Sequence, residues 1–117
     1  MSDAVDLTGR VVIVTGASRG IGKGLAIGLA GIGASVVCAA RSERAQPGGL
    51  PGTIHDTVAE IIDAGGTALA VRCDIGEARE ITHLVDATVE RFGGLDVLVN
   101  NAMAPTQALF DESTVEQ

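Results

Sequence analysis

Four short β-branched or small apolar runs, each separated from the next by a stretch with helical periodicity, limit most strongly how this chain can fold. The runs cover residues 11–15, 35–40, 68–72 and 96–100. Such alternation is the mark of parallel βαβ units. Near-continuous apolar content, in place of strict alternation, predicts strands covered on both faces. Between the strands, Ile21, Leu25 and Leu29 fall at i, i+4 and i+8 and predict a helix ending at Gly31 and Gly33. Ile54, Val58, Ile61 and Ile62 predict a second helix before Gly65-Gly66. Ile81, Leu84, Val85, Thr88 and Phe92 predict a third, closed by Gly93-Gly94. These stripes are read as core faces, and three helices joining four strands predict right-handed crossovers and a parallel sheet. Residues 45–52, rich in Pro and Gly, read as a loop after the second strand. Asp111 and Glu112 stand at a predicted helix start.

Composition enters as a set of exclusions. A chain of 117 residues with 46% apolar content is long enough for one domain with a real core. The net charge of −7 argues against nucleic-acid binding, which draws on clustered Lys and Arg. The charge is uneven: residues 1–44 carry five basic and three acidic groups, a net +2, and the remainder carries three against twelve, a net −9. A small anionic ligand is therefore expected in the first third. Cys38 and Cys73 lie in apolar runs with no C-x-x-C spacing, which predicts buried, reduced thiols and neither a disulfide framework nor a zinc site. His55 and His83 lack the i, i+4 partner that a metal site favours. The polar N-terminus has no apolar targeting segment and no run reaches the roughly 18 apolar residues of a membrane span, so a cytoplasmic chain is expected. There is no Tyr and no Trp, and the one lysine is Lys23, expected to solvate its helix or assist a phosphate.

The chemistry-bearing residues follow the strands. Thr15-Gly16-Ala17-Ser18-Arg19-Gly20-Ile21-Gly22 gives a G-x-x-x-G-x-G spacing at a strand-to-helix turn. Gly16 is read as allowing the sharp turn and Gly20 as letting backbone approach a diphosphate. Gly22 is read as letting the helix pack closely, with amides near Ile21 aimed at the phosphate by the helix dipole. The second strand ends Ala39-Ala40-Arg41-Ser42, without the acid that NAD binders place there for the ribose 2′-hydroxyl. Arg41 and Arg19 instead suit a 2′-phosphate, through charge-assisted hydrogen bonds of about 1.5–3 kcal/mol each. After the third strand, Asp74 and Ile75 stand where an adenine edge can be read, and Asp74 serves equally well as a cap for the next helix. After the fourth, Asn100 and Asn101 suit both a cofactor contact and a bridge between strands.

Taken together, TGASRGIG, AAR, CDI and NNA, in this order and spacing, resemble the short-chain dehydrogenase/reductase family over essentially the whole chain. The stretch QPGGLPGTIHDTVAEI resembles the hydroxysteroid dehydrogenase-like protein 2 subgroup. The resemblance implies a Rossmann-type doubly wound α/β sheet in strand order 3-2-1-4, with the first two helices on one face and the third on the other. It implies Gly16, Ser18, Arg19, Gly20, Ile21 and Gly22 around the phosphates, Asp74 and Ile75 at the adenine, and Asn100 and Ala102 near the nicotinamide ribose. Met103 stands where the family usually has Gly. The family's Ser and Tyr-x-x-x-Lys groups would fall after Gln117, so no catalytic residue is expected in this chain. Residues 1–117 are read as one NAD(P)-binding domain, incomplete at its C-terminus.

The expected function is the cofactor-binding half of an NADP(H)-dependent oxidoreductase that moves a hydride between nicotinamide and a carbonyl or secondary alcohol. A truncated, catalytically silent NADP(H)-binding module is the alternative, and a Rossmann methyltransferase is disfavoured by the glycine spacing. Expected partners are the dinucleotide, a small carbonyl or alcohol substrate, and a second copy or further C-terminal polypeptide. The last follows because the fourth strand would otherwise be a bare edge beside a half-covered face.

Overall fold

The computed structural model describes residues 6–18, 20–41 and 53–101. The elements run β1 (Val11–Thr15), α1 (Gly20–Gly31), β2 (Ser35–Ala40), α2 (Ile54–Asp63), β3 (Thr67–Arg72), α3 (Ala78–Phe92) and β4 (Val97–Val99). The strands form one parallel sheet in the order β3-β2-β1-β4, as the sequence predicts. Register follows from period-two burial. Val12, Val14, Val36 and Cys38 face α1 and α2 with Ala26, Ala30, Ile54 and Ile61, whereas Ile13, Val37 and Ala39 face the α3 side with Cys73 and Leu84. Each fully buried Val or Ile contributes about 1.5–3 kcal/mol relative to exposure, so the two central strands carry most of the core.

Two strands differ slightly from the sequence reading. β3 begins at Thr67, which pairs with Ser35. β4 is three residues long, and its flanks still bond β1, Asp96 through its N–H to the Val11 carbonyl at 2.9 Å as well as through its side chain. The Asp96 carboxylate accepts the Val11 N–H at 2.8 Å, and the Asn100 side chain accepts from the Thr15 hydroxyl at 2.9 Å.

The α1 stripe is a larger correction. Ile21 is 77% exposed and Leu25 is also exposed, while Gly22, Ala26 and Ala30 form the buried face. The face that lies on the sheet is the one made of the smallest side chains, because α1 must come close to the strand ends. Leu29 does pack against the core, at its margin. In α2 the buried residues are Ile54, Thr57 and Ile61, with Val58 partly buried and Ile62 exposed. In α3 they are Leu84 and Thr88, with Phe92 at the edge of the core and Ile81 exposed. α2 opens with a reciprocal capping box, Asp56 N–H to Thr53 Oγ1 at 3.2 Å and Thr53 N–H to Asp56 Oδ2 at 3.1 Å. An ion pair between Lys23 and Glu60 joins α1 to α2. The expected loop at 45–52 and helix start at Asp111 lie outside the described residues.

Candidate functional site

Because all four strands are parallel, Gly16, Arg41, Asp74 and Asn100 emerge at the same, C-terminal edge of the sheet. Ligands of open α/β sheets bind at that edge, where strand order reverses. Here the reversal falls at β1, which has β2 on one side and β4 on the other.

The turn from β1 into α1 is shaped by two left-handed glycines, Gly16 at φ 66° and Gly20 at φ 63°. A Cβ at Gly20 would meet nothing within 4 Å, so backbone there borders open space. Gly22 is the opposite case. A Cβ there would lie 2.6 Å from Asn101 Nδ2 and 2.8 Å from the Gly16 carbonyl carbon, and closer still to its oxygen. Ile21, exposed between these two glycines, heads the first turn of α1. Ser18 is half-buried beside them. Ala17 is fully buried, its N–H donating to the Ala39 carbonyl at 3.2 Å and its carbonyl accepting from the Thr57 hydroxyl at 2.7 Å.

The asparagines bridge β4 to β1 through Thr15. The Thr15 hydroxyl donates to Asn100 Oδ1 at 2.9 Å and accepts the Asn101 N–H at 2.8 Å, while the Asn101 side chain reaches the Gly16 carbonyl at 3.5 Å. The start of the glycine-rich turn is thus held by the residues that follow β4.

Asp74 does not cap α3. The N-cap is Glu77, which makes no side-chain cap bond, and the Asp74 carboxylate accepts the Gly76 N–H at 2.9 Å within the preceding turn. The turn is anchored from α3 by Glu80, whose carboxylate accepts the Asp74 N–H at 2.7 Å and the Arg72 guanidinium at 3.1 Å. The Asp74 amide, and secondarily Arg72, hold the Glu80 carboxyl below its ordinary value. Ile75 packs at the margin of the α3-side core. Arg41 is exposed directly after β2. Arg19, Ala102 and Met103 lie outside the described residues.

The structure therefore brings Gly16, Ser18, Gly20, Ile21, Gly22 and Asn100 to one turn, with Arg41 and Asp74 along the same edge. Lys23 pairs with Glu60. Thr15, Thr57 and Glu80 were not singled out from sequence. For Thr57 a signal existed, a hydroxyl placed between Ile54 and Ile61 on the buried side of a helix. A separate groove of about 600 Å³ runs between β3 and the start of α3, lined by Arg72, Glu77, Arg79, Glu80 and His83 among others. None of the described glycine-turn residues lines it. Among the described residues, no three His, Cys, Asp or Glu side chains gather as a metal site would require, and no helix is long and apolar enough to cross a membrane.

The sequence profile of the short chain dehydrogenase family matches residues 10–117. The chain belongs to that family. Its members are oxidoreductases that bind a nicotinamide dinucleotide. Over 98 residues the chain is 49% identical to bovine (Bos taurus) hydroxysteroid dehydrogenase-like protein 2, a match covering 84% of this chain and 23% of that protein. A hydroxysteroid dehydrogenase from Escherichia coli superposes with a TM-score of 0.75 at 40% identity, covering 85% of this chain and 39% of that one. A short chain dehydrogenase from Mycobacterium thermoresistibile gives 0.79 at 43% identity, over 85% and 35%. The chain thus spans about a quarter to two fifths of the family members it matches.

Proposed function

We propose that this chain is the cofactor-binding half of an NADP(H)-dependent short-chain oxidoreductase, the intact protein moving a hydride between the nicotinamide and a carbonyl or secondary alcohol. The observation that carries the reading is the glycine-rich turn at the C-terminal end of β1. Gly16 and Gly20 are both left-handed, and the backbone at Gly20 borders open space at the start of a 12-residue helix, whose N-terminal amides and dipole favour an anion. A dinucleotide fits this cradle, with Gly16, Ser18, Arg19, Gly20, Ile21 and Gly22 around its phosphates. Asp74 and Ile75 serve the adenine, and Asn100 and Ala102 the nicotinamide ribose. When bound, the nicotinamide supplies the hydride chemistry, and the chain's own residues bind and orient it.

NADP(H) is preferred over NAD(H) because the residue that follows β2 is Arg41, not an acid, and Arg19 of the glycine motif supplies a second guanidinium for the 2′-phosphate. The 117 residues contain no tyrosine, so in this reading the proton-donating group comes from polypeptide outside them, and the domain is completed there. Val97 and Leu98 on the edge strand β4 are 46% and 53% exposed, which favours association with such polypeptide or with a second copy. The reading places the protein in the cytoplasm.

NADPH emission tests the assignment free of protein background, since Trp and Tyr are absent. Binding is expected to enhance it, and Arg41→Ala is expected to weaken NADPH about tenfold, discounted for Arg41's exposure, with little effect on NADH. No enhancement in the unmodified chain would refute cofactor binding, and an equal loss for both dinucleotides would refute the role of Arg41. A hydride-transfer assay with NADPH and a carbonyl separates an enzyme from a module that only binds.

A further inference from the structure

α2 lays Ile54, Thr57 and Ile61 against the sheet, and Thr57 is the polar one. A buried helical threonine ordinarily gives its hydroxyl proton to the carbonyl four residues back. Thr88 in α3 does this, at 2.8 Å from the Leu84 oxygen. Thr57, fully buried, has the same acceptor available in Thr53, at 3.4 Å. Its short bond, 2.7 Å, goes instead to the Ala17 carbonyl, forty residues away in the glycine-rich turn.

That bond fixes a direction. The described residues contain no cis peptide, so the Ala17 carbonyl and the Ser18 N–H point in opposite senses across one rigid plane. With the carbonyl held toward α2, the Ser18 amide faces away from α2. The preceding peptide is also fixed, by the Ala17 N–H bonded to the Ala39 carbonyl of β2. Left-handed glycines on both sides, Gly16 and Gly20, give this turn little stiffness of its own, so the orientation of its amides depends on such external bonds.

We infer that Thr57 is a positioning residue of the cofactor site: through the Ala17 carbonyl it sets the direction of the Ser18 amide and thereby the affinity of the turn for a diphosphate. The inference rests on the dinucleotide reading above. Thr57→Val keeps the shape and removes the donor, leaving a buried carbonyl short of a partner and free to let the peptide rotate. Thr57→Ser keeps the donor.

The test compares the full unmodified chain with Thr57→Val and Thr57→Ser, using NADPH and, as a ligand without a diphosphate, adenosine 2′-monophosphate followed by NMR. Thr57→Val is expected to weaken NADPH about tenfold, within the range for an orphaned buried acceptor, and to leave adenosine 2′-monophosphate within about twofold. Thr57→Ser is expected to restore NADPH binding. Unchanged NADPH affinity in Thr57→Val, an equal loss for both ligands, or failure of Ser to restore binding would overturn the inference. If Thr57→Val does not fold, Thr57→Cys, with its weak S–H donor, replaces it. Its NADPH affinity is expected to fall below that of Thr57→Ser, and equality with Ser would overturn the inference. Should the unmodified chain not bind NADPH at all, the dinucleotide reading itself fails; binding by the unmodified chain with no change in the variant removes only the role of Thr57.

Discussion

Three glycines of α1 allow the same substitution to be tried with opposite signs. Gly22→Ala would place a Cβ 2.6 Å from Asn101 Nδ2, 2.8 Å from the Gly16 carbonyl carbon and nearer still to the Gly16 oxygen. Two of these three neighbours are backbone, so no rotamer change can relieve the contact. The cost therefore belongs at the upper end of the range for overpacking, about 3 kcal/mol. The gain in helix propensity from Gly to Ala offsets up to about 1 kcal/mol of it, leaving a net loss of about 2 kcal/mol. Gly24 and Gly28 lie in the same helix, and a Cβ at either meets nothing within 4 Å. Alanine at those positions is expected to stabilise by about 0.4–1 kcal/mol. With a urea dependence of about 2 kcal/mol per molar, the midpoint should fall by about 1 M for Gly22→Ala and rise by about 0.2–0.5 M for each control. Far-UV circular dichroism is the appropriate probe, because the chain lacks Trp and Tyr. A Gly22→Ala midpoint at or above that of Gly24→Ala would refute the close approach of α1 to the turn, and with it the reason for a third glycine in the motif.

Two further outcomes follow from the buried and paired groups. Burial pushes the Cys38 thiol up to about 12 and raises that of Cys73, so neither is expected to react with a maleimide at pH 8 in the folded chain, whereas both should be labelled in urea; labelling of Cys38 at the same rate in both states would contradict its place inside the sheet. The Glu80 carboxyl is lowered from 4.5 by the Asp74 amide and by Arg72, so the unfolded chain binds its proton more readily. Stability from this group is full above pH 4.5 and is lost as pH falls through the lower folded-state value. Glu80→Gln should flatten the acid limb of a stability–pH curve, and an unchanged limb would show that the carboxylate does not anchor the Asp74 turn.

Much of the fold was legible because strand signals are local. Runs such as Val11-Val12-Ile13-Val14 announce a doubly covered strand without reference to neighbours, and all four strands lie within one residue of their predicted bounds. The same logic placed α1 correctly along the chain and misread only its buried face. Hydrophobic periodicity assumes that the largest apolar side chains face the core, yet at Gly22, Ala26 and Ala30 the distance between helix and sheet is set by the smallest. Ile21, Leu25 and Leu29 supply a clean stripe, and only the last of them packs against the core. The motif glycines contained the correction, since a glycine required for close packing also marks the face that packs. The turn at Asp74 was harder to read. Its anchor, Glu80, lies six residues on, and nothing in the spacing separates a carboxylate that reaches back from one that faces water.

The same comparison shows how the candidate site is built. Its glycines make the turn open and also poorly self-supporting, so its geometry has to be imposed from elements outside it. β4 does so through Asn100 and Asn101 on Thr15 and Gly16, β2 through the Ala39 carbonyl on the Ala17 amide, and α2 through Thr57 on the Ala17 carbonyl. Each bond joins segments far apart in sequence. Motif reading finds the glycines of the turn, because these must be of one type at one spacing. It also finds Asn100 and Asn101 as a bridge between strands, but it misses Thr57, because a hydroxyl from any packed element can fill that role. A turn held from three sides should lose ligand affinity when one support is removed while the sheet persists. Removing Gly22's close contact, by contrast, displaces the helix itself and is felt in stability first. The separation of those two readouts, affinity for Thr57 and urea midpoint for Gly22, follows from where each residue stands relative to the turn.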